Sequence, residues 1–560
     1  MKDYTKKQKI LIVLGVSLFI LIGSGLTYAG LMWVTSNPIN IGLTSGCFEI
    51  NYTPGGAINN ANVEIMNEST LISNNKFTIT EGIALTYANI GIKSTCSIEG
   101  SGSLYLNVTS LSSAFTTGES KGSLKYAILN NTSSSTTLTV AGLSGQSFDI
   151  VKKGAITATG TTEILKKQLS NSTQNKYLIV FYIDGSLIGN DIIGSTFAGN
   201  ISADAHQGKL DFAKETLNYL NGLNSTITLA SGIPDFTTVS GSTGEDSNGN
   251  TGLGDGTKGI YAAEDDLGTS YYFRGAVDNN YVKFANFYWR IIRINGDGTI
   301  RMIYAGTSAH SNGEDETDSH IGETAYNSSY KDNTYVGYMT GSTGATTYAS
   351  AHSNTNNSTI KGVIDTWYKT NIEDKGYSSY VADAIYCNDR SIANDSATNI
   401  MLTKVSSSET NTGLGYGTNV TAYGGFKRNW VNHTPSLKCP NNNDKFTKSS
   451  ILGNGRLTYP AALITSDEVV YAGGLADAVN VESYIKNTDY YLYTPSYWYW
   501  TLTPWAFVQI RSDVNYVDSD GYLSWTRVHY NLYAARPVVS LNSGAITEGN
   551  GTKSNPFMVG

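Results

Sequence analysis

Hydrophobic residues are concentrated at the start of the chain. No charged residue lies between Lys9 and Glu49, and residues 10–34 form an uncharged, mainly apolar run. At about 1.5 Å per residue, about 20 of these residues in a helix would cross a hydrocarbon core of about 30 Å. Lysines precede the run and none follows it closely. The positive-inside rule therefore predicts that residues 1–34 are a cytoplasmic tip and a transmembrane helix, with the bulk of the chain outside.

The same run also fits a secretory signal peptide. A basic region precedes an apolar core, and small residues surround Ala29, after which a signal peptidase would cut. The chain is then either a single-pass protein of the cell membrane with its N-terminus inside, or a protein secreted after cleavage. The sequence leaves this choice open.

Beyond the apolar run, short segments alternate between hydrophobic and polar residues. Within residues 103–110, Leu104, Leu106 and Val108 fall on one face of a strand, opposite polar residues. Similar runs, separated by turn residues, recur across residues 36–207 and predict an antiparallel β-sandwich domain. The other runs predicted as strands are 39–52, 83–92, 124–129, 136–140 and 177–183.

Helical spacing is rarer. It predicts a helix over 208–223 that closes the first domain, and a Gly- and Ser-rich flexible linker then covers 224–258. Residues 259–560 are predicted to form a β-rich α+β domain with a few short helices and a polar, exposed insertion at 311–357. The elements predicted in this domain are strands at 271–277, 282–294 and 299–304, a helix over 358–374, and a second helix that begins at a capping box and ends at Gly473.

Composition narrows the class of protein. A chain of 560 residues is too long for a single core. Charged residues make up 15%, with a formal net charge of -8, and this argues against a nucleic-acid partner, which requires clustered Lys and Arg. The 58 glycines and 38 tyrosines suit an exported β-protein with many turns.

The cysteines form two pairs by position, Cys47 with Cys96 and Cys387 with Cys439. In an oxidising compartment each pair would close a loop and stabilise its domain by roughly 4 kcal/mol. Four cysteines allow three connectivities, so the pairing stays open. The CxxC spacing typical of zinc sites is missing, and we expect neither a metal nor a cofactor.

An acidic run, Glu314, Asp315, Glu316 and Asp318, lies next to His320. Its side chains offer ligands for a cation. A solvated run of charges is the commoner outcome for such a pattern.

Residues 490–505 contain eight aromatic side chains in sixteen positions. Rings that alternate along a strand either pack inward or stand exposed, where they can stack on the apolar faces of sugars or on partner side chains. Both outcomes are open for each ring. The candidate ligand-binding residues are Tyr493, Tyr497, Trp498, Trp500 and Trp505.

The segment YLIVFYIDGSLIGNDIIGSTFAGNISADAHQ, residues 177–207, resembles the last hairpin of the camelysin and TasA group of secreted bacterial fibre proteins, and GLTYAG from Gly25 is similar to their export signal. The resemblance implies a jelly-roll subunit that joins its neighbours by strand exchange. After cleavage at Ala29, residues 35–43 would be the donor strand. Some members of that group are described as metallopeptidases, but HExxH is absent here.

Several segments of residues 259–560 together resemble an uncharacterised domain of Gram-positive bacterial surface proteins. They are FYWRIIRINGDGTIRMIY, YCNDRS, PSLKCP, YWYWTLTP and ARPVVSL. The family has no established activity. The ending is similar to C-type-lectin-like folds, in which the final strand pairs with the first and loops present a ligand.

No catalytic motif occurs in a context typical of catalysis, and we expect no catalytic residue. The leading hypothesis is a non-catalytic, adhesin-like surface or secreted protein, with an assembly or stalk module and a module that binds a glycan or protein. One alternative is a cell-envelope hydrolase with paired carboxylates, which a cleft with two acids, one of them buried and unpaired, would favour. Another is a structural subunit of the extracellular matrix that self-assembles by strand exchange.

Overall fold

The chain forms two units, Met1–Leu210 and Asp211–Gly560. Both are mostly β, with mainly antiparallel sheets and a few short helices. The computed structural model describes residues 48–58, 63–73, 75–94, 100–135, 137–169, 173–207, 211–393, 420–476, 485–508 and 510–560.

Several predictions for the N-terminal segment concern residues outside these ranges. The predicted membrane segment 10–34, the cleavage site at Ala29, the donor strand 35–43 and the pair of Cys47 and Cys96 all lie outside the described residues. Within the described ranges, no helix is both long enough and apolar enough to cross a bilayer.

Two sheets form the first unit. The larger one pairs its strands in the order Phe48–Pro54, Ala84–Ser94, Gln174–Asp184, Leu124–Asn130, Ser147–Ala155, Lys76–Thr78 and Ile72–Ser73, with Ile65–Met66 beside Gln174–Asp184. The smaller one pairs Phe197–Gln207, Gly100–Leu111 and Gly160–Leu169. Short helices occupy Glu68–Leu71, Ser113–Thr116 and Val140–Leu143, and 3-10 turns occupy Gly185–Leu187 and Asn190–Ile192.

The alternation in the sequence explains how these sheets pack. Leu104 and Val108 are buried in the core between the two sheets, as predicted. Strand Gln174–Asp184 is buried on both faces, because Ile179 points into that core and Val180 into a second core on the other side. The first unit is therefore a β-sandwich whose larger sheet is covered on both faces.

The strand predicted over 136–140 is wrong. Thr139 accepts a hydrogen bond at 3.2 Å from the backbone N–H of Gly142 and caps the helix Val140–Leu143. A run of Ser and Thr reads as a strand by propensity, but hydroxyl groups also cap helices, and capping prevails here.

The second unit contains two larger sheets. One has the order Gly259–Asp265, Gly268–Arg274, Phe287–Ile294, Tyr281–Phe284, Phe557–Val559 and Ile546–Glu548, and Ile300–Tyr304 joins Phe287–Ile294 to Val538–Leu541. The other has the order Glu323–Thr324, Tyr533–Ala534, Tyr499–Val508, Arg511–Val517 and Leu523–Arg527, and Val420–Ala422 pairs with Tyr499–Val508.

Short elements complete this unit. Two-stranded pairs join Glu245–Asp246 to Ile485–Lys486, Met339–Thr340 to Asn356–Asn357, and Tyr386–Cys387 to Lys445–Phe446. The α-helices are Phe212–Leu223, Tyr348–Ala351, Thr359–Tyr368, Gly424–Phe426 and Ser466–Ala472. The 3-10 helices are Asn333–Val336, Ser378–Tyr380 and Asn442–Asp444, and the π-helices are Lys369–Glu373 and Lys427–Asn432.

The hairpin predicted at the start of this unit is present, since Phe287–Ile294 and Ile300–Tyr304 pair antiparallel. The single strand predicted over 282–294 is instead two strands. Ala285 and Asn286 turn the chain between them with φ angles of 53° and 67°. Such positive φ angles are uncommon without glycine, so the dipeptide gives little signal of a turn.

The helix predicted over 208–223 is found at Phe212–Leu223, but it belongs to the second unit and does not close the first. Its apolar residues Ala213, Leu217 and Leu220 are buried in the core of the second unit. Sequence spacing identified the helix but not the sheet that it covers.

The flexible linker predicted over 224–258 is also wrong. Val239 and Ser240 have no exposed surface. Asp255 pairs at 3.1 Å with Arg274, whose side chain is fully buried. Gly- and Ser-rich composition suggested a mobile chain, but these residues form turns that pack on the sheet.

The prediction that residues 311–357 form an exposed insertion is wrong. Tyr326 and Tyr338 have no accessible surface and lie in the main core. Asp332, also fully buried, caps the 3-10 helix Asn333–Val336. The polar composition misled the prediction, because hydrogen bonds within the fold satisfy many of these side chains.

Ser358 caps the predicted helix, which is found at Thr359–Tyr368. Its hydroxyl accepts from Lys361 N at 3.3 Å and donates to Tyr338 O at 2.8 Å. We expect Ser358→Ala to lower the free energy of unfolding by about 1 kcal/mol, as measured by chemical denaturation. The exposed Thr366→Ala in the same helix is the control, and equal losses for both variants would contradict this role.

Candidate functional site

The five aromatic residues predicted to bind ligand do not form one exposed surface. Trp500 and Trp505 have no accessible surface and Tyr497 is 8% exposed, so these rings pack in the core. Trp498 keeps 39% of its surface exposed, and Tyr493 is half-buried. An exposed platform of all five rings is therefore wrong, because the strand that carries Trp500 and Trp505 is covered on both faces.

Cys387 and Cys439 form a disulfide with an S–S distance of 2.07 Å, as predicted. Neither sulfur is therefore a free thiolate nucleophile. No free cysteine occurs in the described part of the chain.

A cavity of about 30 Å³, here called the arginine cavity, lies beside Cys387 of this disulfide. A cavity of this size holds one or two water molecules. Charged side chains of both signs line it. Asp265, Arg293, Arg301, Asp389, Asp467 and Glu468 are buried, and Arg428 is partly exposed.

The carboxylates of the arginine cavity are paired. Oε1 of Glu468 lies 3.0 Å from Nε of Arg293 and 2.6 Å from Nε of Arg301. Burial alone would raise the pKa of Glu468, but these two guanidiniums outweigh burial and lower it. The carboxylate therefore stays ionised, and its buried ion pairs have a structural role.

A second polar group lies on the strand Arg511–Val517. In the pairing of this strand with the next one, Asp513 lies opposite Arg527 and Asn515 lies opposite Trp525. Directly opposed residues of antiparallel strands place their side chains on the same face. We call this group, with Trp505 and Arg511, the Asp513 centre.

Two indole rings cover the Asp513 centre. Trp505 and Trp525 stack with ring centroids 4.1 Å apart and 9° between their planes. They come from the strands on either side of Arg511–Val517, so the rings meet over that strand. Trp525 is half-buried, and the guanidinium of Arg511 lies 5.2 Å from its ring centroid. Trp525 is therefore the ring of this stack that keeps accessible surface.

The polar atoms beneath these rings lack hydrogen-bond partners. Asp513 and Asn515 have no accessible surface. Both oxygens of Asp513, both terminal atoms of Asn515, Nε1 of Trp505 and Nε of Arg511 have no hydrogen-bond partner in the described structure. Nε of Arg511 does lie 3.0 Å from Oδ2 of Asp513, as an ion pair without hydrogen-bond geometry.

Such a concentration of unpartnered groups is unusual. An unsatisfied buried polar group costs about 1–3 kcal/mol, and native proteins contain few of them. Six of these atoms occur together in the Asp513 centre. Bound water or the polar groups of another molecule would supply the missing partners.

The pKa of the Asp513 carboxyl group lies near neutral pH. Burial raises the pKa of Asp513 from its ordinary value of 3.8 to about 7, and the guanidiniums of Arg511 and Arg527 offset only part of this rise. The group therefore changes near neutral pH from a hydrogen-bond donor to a pure acceptor. Perturbed groups of this kind concentrate at functional sites.

Asp513 and Asn515 were not predicted from the sequence to be site residues. Alternating polar residues on a strand ordinarily face solvent, and RSDVNYV reads as such a strand. In the folded sheet, Asp513 lies opposite Arg527 and Asn515 lies opposite Trp525, and this pairing would have pointed to the site. It depends on the register between two strands, which the sequence alone does not give.

The predicted acidic run is arranged around His310 and not around its neighbour His320. The imidazole of His310 lies 2.5 Å from Asp318, 3.2 Å from Glu316 and 3.3 Å from Glu314. His320 instead packs edge-on against an aromatic ring. Glu316 and Asp318 are therefore partly buried around His310, whereas Glu314 and Asp315 are exposed to solvent.

Neither a protein-family model nor a curated protein matches this chain. The two family resemblances stay predictions. Function is therefore inferred from the geometry of the units themselves.

Proposed function

We propose that the chain is a non-catalytic bacterial protein, located at the cell surface or secreted, whose second unit binds a glycan at the Asp513 centre. The observation that carries this proposal is the set of six unpartnered polar atoms beneath two stacked indole rings. The two arginines and the two amide or carboxyl side chains supply both donors and acceptors at one place.

The chemistry of the centre matches that of a sugar. Each sugar hydroxyl donates one hydrogen bond and accepts others, and the oxygens of Asp513 and Asn515 are free to accept. The N–H groups of Asn515 and Trp505 have no hydrogen-bond partner in the described structure and can donate. The C–H faces of a sugar ring pack on aromatic rings, and the half-buried Trp525 offers accessible ring surface for this contact.

We expect Asn515→Ala to weaken glycan binding at least tenfold, because each lost hydrogen bond contributes about 1 kcal/mol or more. The full-length chain, purified under oxidising conditions, is first screened on a glycan array, and affinities are then measured for the glycans that bind. Trp498→Ala is the matched control, since its exposed ring lies outside the centre. Loss of binding in Trp498→Ala with retention in Asn515→Ala would place the site at the exposed ring instead.

A cell-envelope hydrolase is the alternative. Asp513 meets one of its requirements, a buried acid with raised pKa. Glycoside hydrolysis also needs a second carboxyl group across the scissile bond. The charged groups that act on Asp513 in the described residues are the two guanidiniums of Arg511 and Arg527, which favours binding over hydrolysis. Release of reducing sugar from a bound glycan would support the hydrolase.

For the first unit we propose a role in assembly or as a stalk, with the jelly-roll-like form that the camelysin and TasA resemblance implies. Its smaller sheet ends at the strand Gly160–Leu169, which pairs on one side only within the described residues. An open edge of this kind accepts an added strand. A stalk role requires that residues 10–34 stay in the membrane, and assembly requires cleavage at Ala29.

The mass of the native N-terminus distinguishes these two states. Filaments in electron micrographs of the chain cleaved at Ala29 would support a self-assembling matrix subunit. A native chain that retains residues 10–34 would favour the stalk.

A further inference from the structure

The cluster around His310 is separate from the Asp513 centre and from the arginine cavity. His310, Glu316 and Asp318 offer one ring nitrogen and two carboxylate oxygens that lie within 4.8 Å of one another. All three side chains are partly buried. A nitrogen and oxygen donor set of this size fits a single metal ion.

The position of one donor, Asp318, is fixed by a neighbouring residue. Oδ2 of Asp318 accepts hydrogen bonds from Thr307 N at 2.9 Å and from the Thr307 hydroxyl at 2.6 Å. Oδ1 of the same carboxylate faces Nε2 of His310 at 2.5 Å. Hydrogen bonds to the outer atoms of ligands orient them toward a metal, so Asp318 is held in place before any ion binds.

A buried carboxylate oxygen of Glu316 also lies in the cluster. Its side chain is only 10% exposed, and its Oε2 has no hydrogen-bond partner in the described structure. This oxygen lies 3.2 Å from Nδ1 of His310 and so points into the cluster. Leaving a buried carboxylate oxygen unpartnered is costly unless another group compensates it.

Space is available next to these donors. A polar cavity of about 20 Å³ is lined by His310 and Glu316 and is large enough for one ion or water molecule. Arg290 and Arg536 also line it. Their guanidiniums donate to the backbone carbonyl groups of Val277 at 2.7 Å and Tyr304 at 3.1 Å. Asp318 does not line this cavity.

We propose that His310, Glu316 and Asp318 form a binding site for a divalent transition-metal ion of the zinc class. One imidazole with two carboxylates suits Zn²⁺ and its neighbours in the first transition series. Ca²⁺ and Mg²⁺ prefer oxygen ligands throughout, so they fit this donor set less well. This site does not depend on the glycan site.

The test is calorimetric titration of Zn²⁺ into the untagged, full-length chain after treatment with a chelator. We expect saturable binding of one ion per chain, and His310→Gln and Asp318→Asn each weaken it at least tenfold. His433→Gln is the matched control, because this histidine lies outside the cluster and should leave the affinity unchanged.

Two further measurements test whether the variants fold and whether His310 binds the metal. Circular dichroism of the metal-free variants, with a spectrum equal to that of the wild type, shows that they fold. Binding of Co²⁺ should produce d–d absorption in the wild type and none in His310→Gln. Absence of saturable Zn²⁺ binding in the wild type, or equal affinity in the folded His310→Gln and Asp318→Asn variants, would overturn the proposal.

Discussion

Asp513→Asn is expected to raise the free energy of unfolding by about 4 kcal/mol at pH 8 and to leave it nearly unchanged at pH 3. Burial raises the pKa of Asp513 from 3.8 to about 7 in the folded chain. Protonated Asp513 therefore favours the folded state, and this contribution is complete below pH 3.8 and is lost as the pH rises to about 7. The rise in pKa corresponds to about 4 kcal/mol. Asparagine has a similar shape to the protonated acid and carries no charge at any pH.

Chemical denaturation of both proteins at the two pH values measures this difference. Asp374→Asn, an exposed substitution in the same unit, is the control and should not change stability at either pH. If Asp513→Asn were less stable than the wild type at pH 8, the buried carboxylate would have stabilising partners besides Arg511 and Arg527.

A gain in stability on removal of one side chain has a functional meaning. Selection keeps destabilising groups where activity requires them, so stabilising substitutions at such sites usually reduce function. We expect Asp513→Asn to become more stable and to lose glycan binding at the same time. A gain in stability together with a loss of glycan binding would distinguish a binding residue from a structural one.

Glu468→Gln is expected to lower the free energy of unfolding by about 3–5 kcal/mol. The carboxylate of Glu468 faces Arg293 and Arg301, and all three side chains are at least 92% buried. Removal of one partner of a buried ion pair leaves an uncompensated charge in the interior, which costs this amount. Glutamine keeps the size of the side chain, so the loss reports charge and not packing.

Thermal and chemical denaturation at neutral pH measure this loss. The exposed pair of Lys369 with Asp374 is the comparison, and its disruption by Asp374→Asn should leave the midpoint unchanged. A loss below 1 kcal/mol for Glu468→Gln would mean that water or another group replaces the carboxylate.

Local patterns in the sequence predicted the elements of the fold better than their partners. Period-two alternation places Leu104 and Val108 correctly, since one face of that strand meets the core. The capping box at Thr465 and Glu468 correctly begins the helix Ser466–Ala472, because a capping box is a purely local interaction. The strand register and the sheet that each helix covers depend on contacts distant in sequence, and composition does not encode them.

The candidate sites depended on such distant contacts. Two of the five aromatic residues named from the sequence, Trp500 and Trp505, lie in the sheet that carries the Asp513 centre, and Trp505 covers that centre. Asp513 and Asn515 were missed because their burial results from the meeting of rings from two other strands. His310 was missed because it lies outside the acidic run in sequence and meets it only through a turn.

The central claim is that the Asp513 centre binds glycan. Isothermal titration of a glycan identified on the array into wild-type and Asp513→Asn chains tests it most directly. We predict a measurable affinity for the wild type and a loss of at least tenfold for Asp513→Asn, in a variant that is folded and more stable. Equal affinity in the two proteins would contradict the claim.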